Sequence, residues 1–281
     1  MTLKDQILHR KEKKPIVFDA FFNNKNKEKP LVIFCHGYKG FKDWGSWNLM
    51  ANAFKEAETF FVKFNFSHNG GTIENPIDFP DLEAFAENNY TKELDDLDTV
   101  LHYFLNKNYE YKKEINTKHV TIIGHSRGGG ISIIKAAEDS KITNLITLAS
   151  VCDFAKRTTT IGDLDQWEKE GVKYVLNGRT KQQMPHNYQF YEDFKANEAR
   201  LNIEKCEKAL QIPHLIIHAK DDPSVKYEEA KALHFWNKNS ELFTLNNSDH
   251  VFGAKHPWDE KFPPKALTQV INKCIEQIFK N

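Results

Sequence analysis

Short uninterrupted apolar runs recur along this 281-residue chain and alternate with segments of helical periodicity. The run LVIFCH at residues 31–36 is typical of a strand that is covered on both faces of a sheet. Further strands are predicted at residues 16–22, 60–66, 119–124, 143–149, 212–219 and 241–245, and helices at residues 47–58, 94–105, from the glycines after 124 to about 138, 228–236 and 265–279. This alternation predicts an α/β fold, with a mostly parallel central sheet and helices on both faces.

One stretch interrupts the alternation of strands and helices. About sixty residues separate the strand that ends near Ala149 from the strand that starts near Ile212, and a structureless loop of that length would be unusual. The stretch is rich in aromatic residues, namely Trp167, Tyr174, Tyr188, Phe190, Tyr191 and Phe194. We therefore predict that residues 154–211 form a helical cap over one end of the sheet, and that residues 1–153 and 212–281 form the core domain.

Charge and hydropathy exclude several classes of protein. The 39 basic and 39 acidic residues give a formal net charge of +0, whereas a generic nucleic-acid binder would show a basic excess. No apolar run approaches the ~20 residues that span a bilayer, and no apolar stretch of ~7–15 residues flanks the basic residues 11–14 as it would in a secretory leader. We expect neither a nucleic-acid partner nor a membrane span, and the oligomeric state stays open.

Cysteine and glycine patterns give no sign of a metal or a cofactor. The four cysteines lie far apart and form no Cys-x-x-Cys pair, which favours free thiols in a reducing cytoplasm over a zinc site; they are Cys35, Cys152, Cys206 and Cys274. The chain contains no His-Glu-x-x-His pair. The glycines at 124–130 match neither a nucleotide P-loop nor a dinucleotide fingerprint.

The sequence GHSRG at residues 124–128 is the motif most specific for a chemistry. It follows the predicted strand VTII and precedes a predicted helix, which is the setting of a nucleophile elbow. Such a strand-to-helix turn is tight, so the residues two positions before and after the serine must lack bulk. The helix N-terminus also offers unpaired N–H groups to a developing oxyanion. The pattern predicts Ser126 as a nucleophile, and a purely structural glycine turn is the alternative.

A serine nucleophile requires a base and a group that orients the base. Asp221 and Asp222 follow the strand predicted at residues 212–219, and His250 follows the strand predicted at residues 241–245. Because parallel strands end at one edge of the sheet, these residues are expected near Ser126. Spacing alone does not separate the two aspartates. His256 is a weaker candidate for the base, since it precedes Pro257 in a proline-bounded loop.

Together these segments resemble the α/β-hydrolase superfamily. Within it, the chain is similar to cytosolic esterases and to cinnamoyl-esterase-like and serine-aminopeptidase-like members. The matching pieces are HGYKG at 36–40, FNFSHNG at 64–70, GHSRGG at 124–129, the acid segment at 217–225 and SDH at 248–250. The resemblance implies a Ser-Asp-His triad, with the acid four residues after His218, which is Asp222. It also implies a substrate pocket formed by the insertion. The chain departs from many relatives at residues 67–69 and at Arg127.

The α/β-hydrolase resemblance also suggests roles for residues next to the predicted nucleophile and in the loop after the strand at residues 31–36. In α/β-hydrolases the loop after the strand at residues 31–36 supplies the second oxyanion N–H, so the backbone N–H groups of Tyr38 and Arg127 are the expected pair. His36 is expected to fix that loop by hydrogen bonding, and His125 to pack. The Arg127 side chain could bind an anionic substrate end or form a structural ion pair.

Two cap residues, His186 and Tyr188, are candidate substrate contacts within an aromatic run. The alternative is that these rings pack the cap against the core. The leading functional hypothesis is a serine hydrolase of carboxylesterase type that acts on a small-molecule ester. A peptidase or amidase with the same triad is the second hypothesis, and a non-catalytic ligand-binding protein is the third.

Overall fold

The computed structural model describes residues 1–159 and 162–280. In these residues ten strands form two sheets: β1 (Thr2–Arg10), β2 (Lys13–Phe21), β3 (Lys29–Cys35), β4 (Phe60–Phe64), β5 (Ile115–His125), β6 (Asn144–Leu148), β7 (Val172–Leu176), β8 (Gln183–Asn187), β9 (His214–Ala219) and β10 (Ser240–Leu245). The eight-stranded sheet has the order β1-β2-β4-β3-β5-β6-β9-β10. Strand β2 pairs antiparallel with β1 and β4, and all other pairs are parallel. This confirms the predicted mostly parallel sheet.

Helices cover both faces of this sheet. They are α1 (Trp47–Glu56), α2 (Leu82–Ala86), α3 (Tyr90–Leu105), α4 (Arg127–Glu138), α5 (Phe154–Thr159), α6 (Leu164–Glu170), α7 (Gln189–Ala196), α8 (Ile203–Ala209), α9 (Tyr227–Trp236) and α10 (Lys265–Ile278), with a 3-10 turn at Lys112–Glu114. Each helix in the described residues is too short or too polar to cross a bilayer.

The side chains of β3 alternate between two apolar cores. Leu31 and Ile33 belong to the core that α3 and α4 cover, whereas Val32 and Phe34 belong to the core under α1 and α10. All four are fully buried. Burial of each such side chain stabilises the fold by roughly 1.5–3 kcal/mol, so the continuous apolar run fixes β3 in the middle of the sheet.

The segment 154–211 is not wholly helical, which corrects the sequence-based expectation. It contains α5 to α8 and, between α6 and α7, the antiparallel hairpin β7–β8. Gly171 ends α6 in the left-handed conformation, with φ of 73°, and the chain then turns directly into β7. Strand β8 lies against α2, and α7 lies against α3, so the hairpin and α7 border the carboxyl edge of the central sheet.

Candidate active site

Ser126 occupies a sharp turn between β5 and α4. Its backbone has φ of 57° and ψ of −119°, a conformation that residues with a Cβ rarely adopt. The Ser126 N–H donates a hydrogen bond to the Leu148 carbonyl at 2.9 Å. The turn therefore holds the serine above the carboxyl edge of the sheet, where its hydroxyl is available to neighbouring loops.

The two glycines of the motif are required by close backbone approach. A Cβ on Gly124 would lie 2.4 Å from the Gly128 carbonyl oxygen and 2.4 Å from Ser132 Oγ. A Cβ on Gly128 would lie 2.4 Å from the His36 carbonyl oxygen. Real Cβ contacts are not this short, so any larger residue at either position would push α4 away from β5 or β3.

The structure brings Ser126, His250 and Asp222 together. His250 Nε2 lies 3.0 Å from Ser126 Oγ, and His250 Nδ1 lies 2.8 Å from Asp222 Oδ2. In this arrangement the serine hydroxyl donates to Nε2, and Nδ1–H donates to the carboxylate. Ser126 follows β5, Asp222 follows β9 and His250 follows β10, and these parallel strands end at the same edge of the sheet. A serine, a histidine and an acid linked in this order can activate the hydroxyl as a nucleophile.

Asp222 is held as a carboxylate by three hydrogen-bond donors and one longer contact. Its Oδ1 accepts the N–H groups of Ser224 and Val225 at 2.8 and 2.9 Å, and its Oδ2 accepts the hydrogen bond from His250. His218 Nε2 lies 3.4 Å from Oδ2 and shares its proton with the Val225 carbonyl, which is closer at 2.9 Å. Burial would raise the pKa of Asp222, but the hydrogen bonds from His218 and His250 keep that pKa well below its usual range. The acid therefore stays ionised at neutral pH and favours a proton on His250 Nδ1.

The neighbouring acid, Asp221, lies elsewhere. It is exposed, and its Oδ2 accepts the Asn247 N–H at 3.1 Å. Of the two aspartates that spacing alone did not separate, the structure puts Asp222 against His250. The competing base, His256, accepts the Gly45 N–H through Nδ1, and its ring packs against Phe41 and Trp44.

The loop after β3 lies beside the serine. A Cβ on Gly37 would be only 2.8 Å from Ser126 Cβ, which brings the Tyr38 backbone close to the elbow. His36 fixes this loop, because its Nδ1–H donates to the Gly37 carbonyl at 2.9 Å and its Nε2 accepts the Phe66 N–H at 3.2 Å. Burial lowers the pKa of His36 to about 4, which keeps it neutral for both bonds. Arg127 begins α4, so its N–H has no acceptor within the helix.

The buried ring of His125 contacts both the backbone and the ring of His250. Its Nε2–H donates to the His250 carbonyl at 2.9 Å, and the two rings lie 4.9 Å apart. Burial lowers the pKa of His125 to about 3, so the ring stays uncharged beside His250. The packing role expected from the sequence therefore includes a hydrogen bond that was not foreseen.

The Arg127 side chain forms a buried ion pair. Its NH1 lies 3.3 Å from Glu93 Oε1, and its guanidinium stacks over the Tyr38 ring at 4.4 Å from the centroid. Burial raises the pKa of Glu93, and the Arg127 charge opposes that rise. Of the two roles considered for this arginine, the structural ion pair is the one observed. Glu93 was not predicted to lie at the site, because only the fold brings α3 to the turn at Ser126.

The two cap candidates lie in different surroundings. His186 Nε2 accepts the Tyr38 hydroxyl at 2.9 Å, so β8 touches the loop after β3. Tyr188 instead packs its ring against Trp167 and Tyr191, which also lie between residues 154 and 211. A substrate contact of Tyr188 stays a prediction.

A very small cavity, of about 10 Å³, adjoins these groups. Its walls come from the loop after β3, the start of α4, the α2–α3 segment, β8 and α7, and are formed by Tyr38, Phe85, Ala86, Asn88, Arg127, His186 and Phe190. Phe85, Ala86 and Asn88 carry no sequence motif, so they were not predicted to lie at the site. The helical spacing of apolar residues predicted most of α3, but the segment before α3, which contains α2, has no such pattern.

Comparisons with known proteins agree with this fold. A model of the phospholipase/carboxylesterase family matches residues 19–161. A comparison with curated proteins gives no match.

Solved structures show the same fold at low sequence identity. Est1E from Butyrivibrio proteoclasticus, with ferulic acid bound, is 20% identical with a TM-score of 0.70, over 94% of this chain and 97% of that chain. A putative hydrolase from Agrobacterium vitis S4 is 16% identical with a TM-score of 0.72, over 97% of each chain. The mouse α/β-hydrolase domain-containing protein 10 is 16% identical with a TM-score of 0.66, over 97% of each chain.

The family match covers just over half of the chain, and the structural likeness covers nearly all of it. The sheet order and the helices on both faces are those of an α/β-hydrolase. The chain belongs to the phospholipase/carboxylesterase family of α/β-hydrolases.

Proposed function

We propose that the protein is a serine hydrolase that cleaves small carboxylic esters through an acyl-enzyme intermediate. The observation that carries this proposal is the continuous hydrogen-bonded chain Ser126–His250–Asp222, with contacts of 3.0 and 2.8 Å. Family membership supports the ester class of substrate. The residue roles below are derived from the site geometry and the chemistry of its groups.

In the first step Ser126 Oγ attacks the ester carbonyl carbon while His250 Nε2 takes its proton. The carbonyl oxygen becomes an oxyanion, which the backbone N–H groups of Tyr38 and Arg127 are suited to bind. Asp222 stabilises the imidazolium that forms at His250. His250 then protonates the leaving alkoxide, the C–O bond breaks, and the acyl group remains on Ser126.

In the second step water attacks the acyl-enzyme. His250 accepts the proton of that water, and the tetrahedral intermediate uses the same two N–H groups. Collapse returns the proton from His250 to Ser126 Oγ and releases the carboxylic acid. Atoms and charges balance over the cycle without another reactant.

Residues 154–211 are proposed to act as a cap that closes the site on one side. The support is the contact of His186 with Tyr38 and the position of β8 against α2. Trp167 Nε1 donates to the His186 carbonyl at 2.8 Å, which ties the hairpin to α6. The cap thereby supplies part of the wall beside the proposed oxyanion site.

A cytoplasmic location is also a proposal. It rests on the four cysteines, none of which is paired in the structure described. Cys35 and Cys274 are buried in the two cores, where they pack as small apolar groups. Unpaired thiols of this kind are typical of a reducing compartment.

Labelling with a fluorophosphonate probe tests the nucleophile directly. We expect the mass of the probe adduct on the peptide that contains Ser126, and none in Ser126→Ala. Ser140→Ala is the matched control, because Ser140 is exposed and distant in sequence from the motif, and its labelling should equal that of the wild type. Folded wild-type protein that takes no label would overturn the proposal and favour a binding protein.

Parallel assays on an aryl ester and an aminoacyl anilide test the bond that is cleaved. Amides have poorer leaving groups and require more from the acid, so we expect much faster turnover of the ester. Preferential cleavage of the anilide would replace the esterase proposal with the peptidase alternative.

A further inference from the structure

Four charged side chains form a closed ring beside the loop after β3. Lys42 and Asp43 belong to that loop, whereas Asp19 lies on β2 and Lys63 on β4. Lys42 Nζ lies 2.9 Å from Asp19 Oδ1 and 2.5 Å from Asp43 Oδ2. Lys63 Nζ lies 2.6 Å from Asp19 Oδ2 and 2.5 Å from Asp43 Oδ1. Each lysine therefore donates to both carboxylates, and we call these four residues the charge ring.

The charge ring is enclosed in the protein. The side chains of Asp19, Lys42 and Lys63 are 0% exposed, and the side chain of Asp43 is 16% exposed. Burial would raise the pKa of both acids, but the two lysines lower both values below the usual range. Burial lowers the pKa of Lys63 to about 8, and the two carboxylates oppose that fall. The ring is therefore mostly ionised at neutral pH.

Two residues of β1 complete the charge balance. Lys4 Nζ lies 2.9 Å from Asp19 Oδ2 and 3.1 Å from Asp43 Oδ1. Asp5 Oδ1 lies 2.6 Å from Lys42 Nζ. With these two residues the cluster contains three lysines and three aspartates, so its formal charge is zero. Removal of one lysine from the ring leaves a buried negative charge without compensation, which is costly.

Two members of the ring hold fixed positions in the central sheet. Asp19 and Lys63 lie directly opposite each other in the antiparallel pair of β2 and β4. On its other side Lys63 lies opposite Phe34, near the carboxyl end of β3. The sheet thus presents a fixed pair of charges where β3 ends. Lys42 and Asp43 attach the following loop to that pair.

The turn at residues 37–40 links the ring to the proposed oxyanion site. The Gly40 N–H donates to the Gly37 carbonyl at 3.0 Å, which closes a tight turn with Tyr38 near its centre. Phe41 alone separates this turn from Lys42, and its side chain is fully buried. Because the connection is short and packed, a shift of Lys42 moves the turn and with it the Tyr38 N–H.

We propose that the charge ring positions the Tyr38 N–H to bind the oxyanion. This inference rests on the proposed esterase function. Asp19 and Lys63 are then positioning residues, since their buried side chains do not contact the reacting atoms. An apolar contact would allow the loop to slide at little cost. In the ring, each lysine must face two carboxylates at hydrogen-bond distance, which permits few positions of the loop.

The substitution Lys63→Met removes one cation from the ring and so loosens the loop. An oxyanion N–H acts mainly in the transition state. We therefore expect kcat for phenyl acetate to fall by about 10–100-fold, with KM changed by less than about threefold. A trifluoromethyl ketone forms a tetrahedral adduct with the serine that carries an oxyanion. Its inhibition constant should rise by a similar factor.

Lys29→Met is the matched control. The side chain of Lys29 is 1% exposed, and its Nζ lies 2.6 Å from Glu114 Oε2, so this variant also removes the cation of a buried ion pair. Lys29 begins β3, whereas the loop that contains Tyr38 follows the other end of that strand. We expect a lower melting temperature but a kcat within about twofold of the wild type. An equal fall of kcat in both folded variants would overturn the inference, because lost stability alone would then explain it.

Asp43→Asn decides the question if Lys63→Met does not fold. Its side chain is the least buried of the ring, and asparagine has nearly the same shape. An amide has one acceptor oxygen, so it keeps the contact with one ring lysine and loses the other. We expect kcat to fall by about 5–10-fold at nearly constant KM. An unchanged kcat in the deciding variant would overturn the inference.

The wild type separates the two levels of failure. If a fluorophosphonate labels Ser126 and phenyl acetate is hydrolysed, but the deciding variant keeps its kcat, the positioning inference alone is wrong. If Ser126 takes no label and no ester is hydrolysed, the proposed function is wrong and the inference falls with it.

Discussion

The substitution Asp222→Asn tests how the acid controls the protonation of His250. In the structure the two carboxylate oxygens have separate tasks. Oδ1 accepts the N–H groups of Ser224 and Val225, while Oδ2 faces His250 Nδ1 at 2.8 Å. An amide has only one oxygen, so it cannot perform both tasks.

The orientation of the amide then determines the tautomer of His250. If the amide oxygen stays on the two backbone N–H groups, its NH₂ faces His250 Nδ1, which must offer a lone pair. The imidazole proton then lies on Nε2, which points at Ser126 Oγ and cannot accept its proton. The reverse orientation sets NH₂ against the N–H groups of Ser224 and Val225, and losing those two bonds costs about 2–6 kcal/mol.

The unproductive orientation is therefore favoured. The free-energy difference between the two orientations sets the expected loss of activity. A difference of about 3 kcal/mol alone leaves roughly one molecule in a hundred with the productive tautomer. Loss of the negative charge also removes stabilisation of the imidazolium at His250. We expect kcat to fall by about 10³–10⁴-fold, equivalent to about 4–5.5 kcal/mol, in line with the known effect of this change in serine-protease triads.

The assay is steady-state hydrolysis of phenyl acetate at pH 8, with thermal unfolding to verify the fold. The matched control is Asp221→Asn, since Asp221 is exposed and accepts the Asn247 N–H, and it should retain activity within about twofold. A loss of less than tenfold in folded Asp222→Asn would refute the tautomer argument. An equal loss in both variants would refute the assignment of the acid.

Three further changes have expected outcomes. Ser126→Ala should lower kcat by about 10⁴-fold or more, measured with the same ester, and near-wild-type turnover would exclude Ser126 as the nucleophile. Burial lowers the pKa of His186 to about 3, so below about pH 6.5 the unfolded chain binds a proton that the folded protein does not. The free energy of unfolding therefore falls on acidification, with up to ~1.4 kcal/mol per pH unit from this residue. In urea titrations between pH 4 and 7, His186→Gln should reduce that slope, and an unchanged slope would contradict the pKa shift. Gly124→Ala should destabilise the fold by about 3 kcal/mol or more, because the added Cβ would lie 2.4 Å from its neighbours. In Gly178→Ala the added Cβ meets no described atom within 4 Å, so the free energy of unfolding should change by less than about 0.5 kcal/mol. Equal melting temperatures for the two variants would contradict this expectation.

The central strands could be predicted because their own residues specify burial. β3 contains the apolar run LVIFC, and the second half of β5 contains the buried segment VTII; segments of this kind fit the interior of a sheet, whereas the polar first half of β5 was not predicted. β1 was not predicted, since its sequence TLKDQILHR is polar and mostly exposed at the sheet edge. The hairpin β7–β8 was taken as helical for a similar reason, because Tyr174 and Leu176 stay exposed and give no clear apolar face.

The meeting of the three triad residues could be predicted from strand ends, because parallel strands deliver their following loops to one edge. Spacing alone could not choose between Asp221 and Asp222, because the two adjacent aspartates share that position; the choice of Asp222 came from the resemblance to α/β-hydrolases, which implies an acid four residues after His218. Glu93 and Asn88 lay beyond sequence reasoning as well. Their importance comes from contacts with Arg127 and with each other, which depend on how α3 packs against α4.

The conformation of Ser126 links the packing of the core to the proposed chemistry. A residue with φ of 57° and ψ of −119° is disfavoured by about 1–3 kcal/mol, so it persists only where several contacts hold it. Ser126 N–H donates to Leu148, and its carbonyl accepts from Gly129 and Val151 at 3.0 and 3.3 Å. These bonds tie the turn to β6, to α4 and to the loop after β6. If they were lost, the backbone would relax and Oγ would leave His250 Nε2. The residues that hold the elbow therefore act on the proposed reaction without touching the substrate.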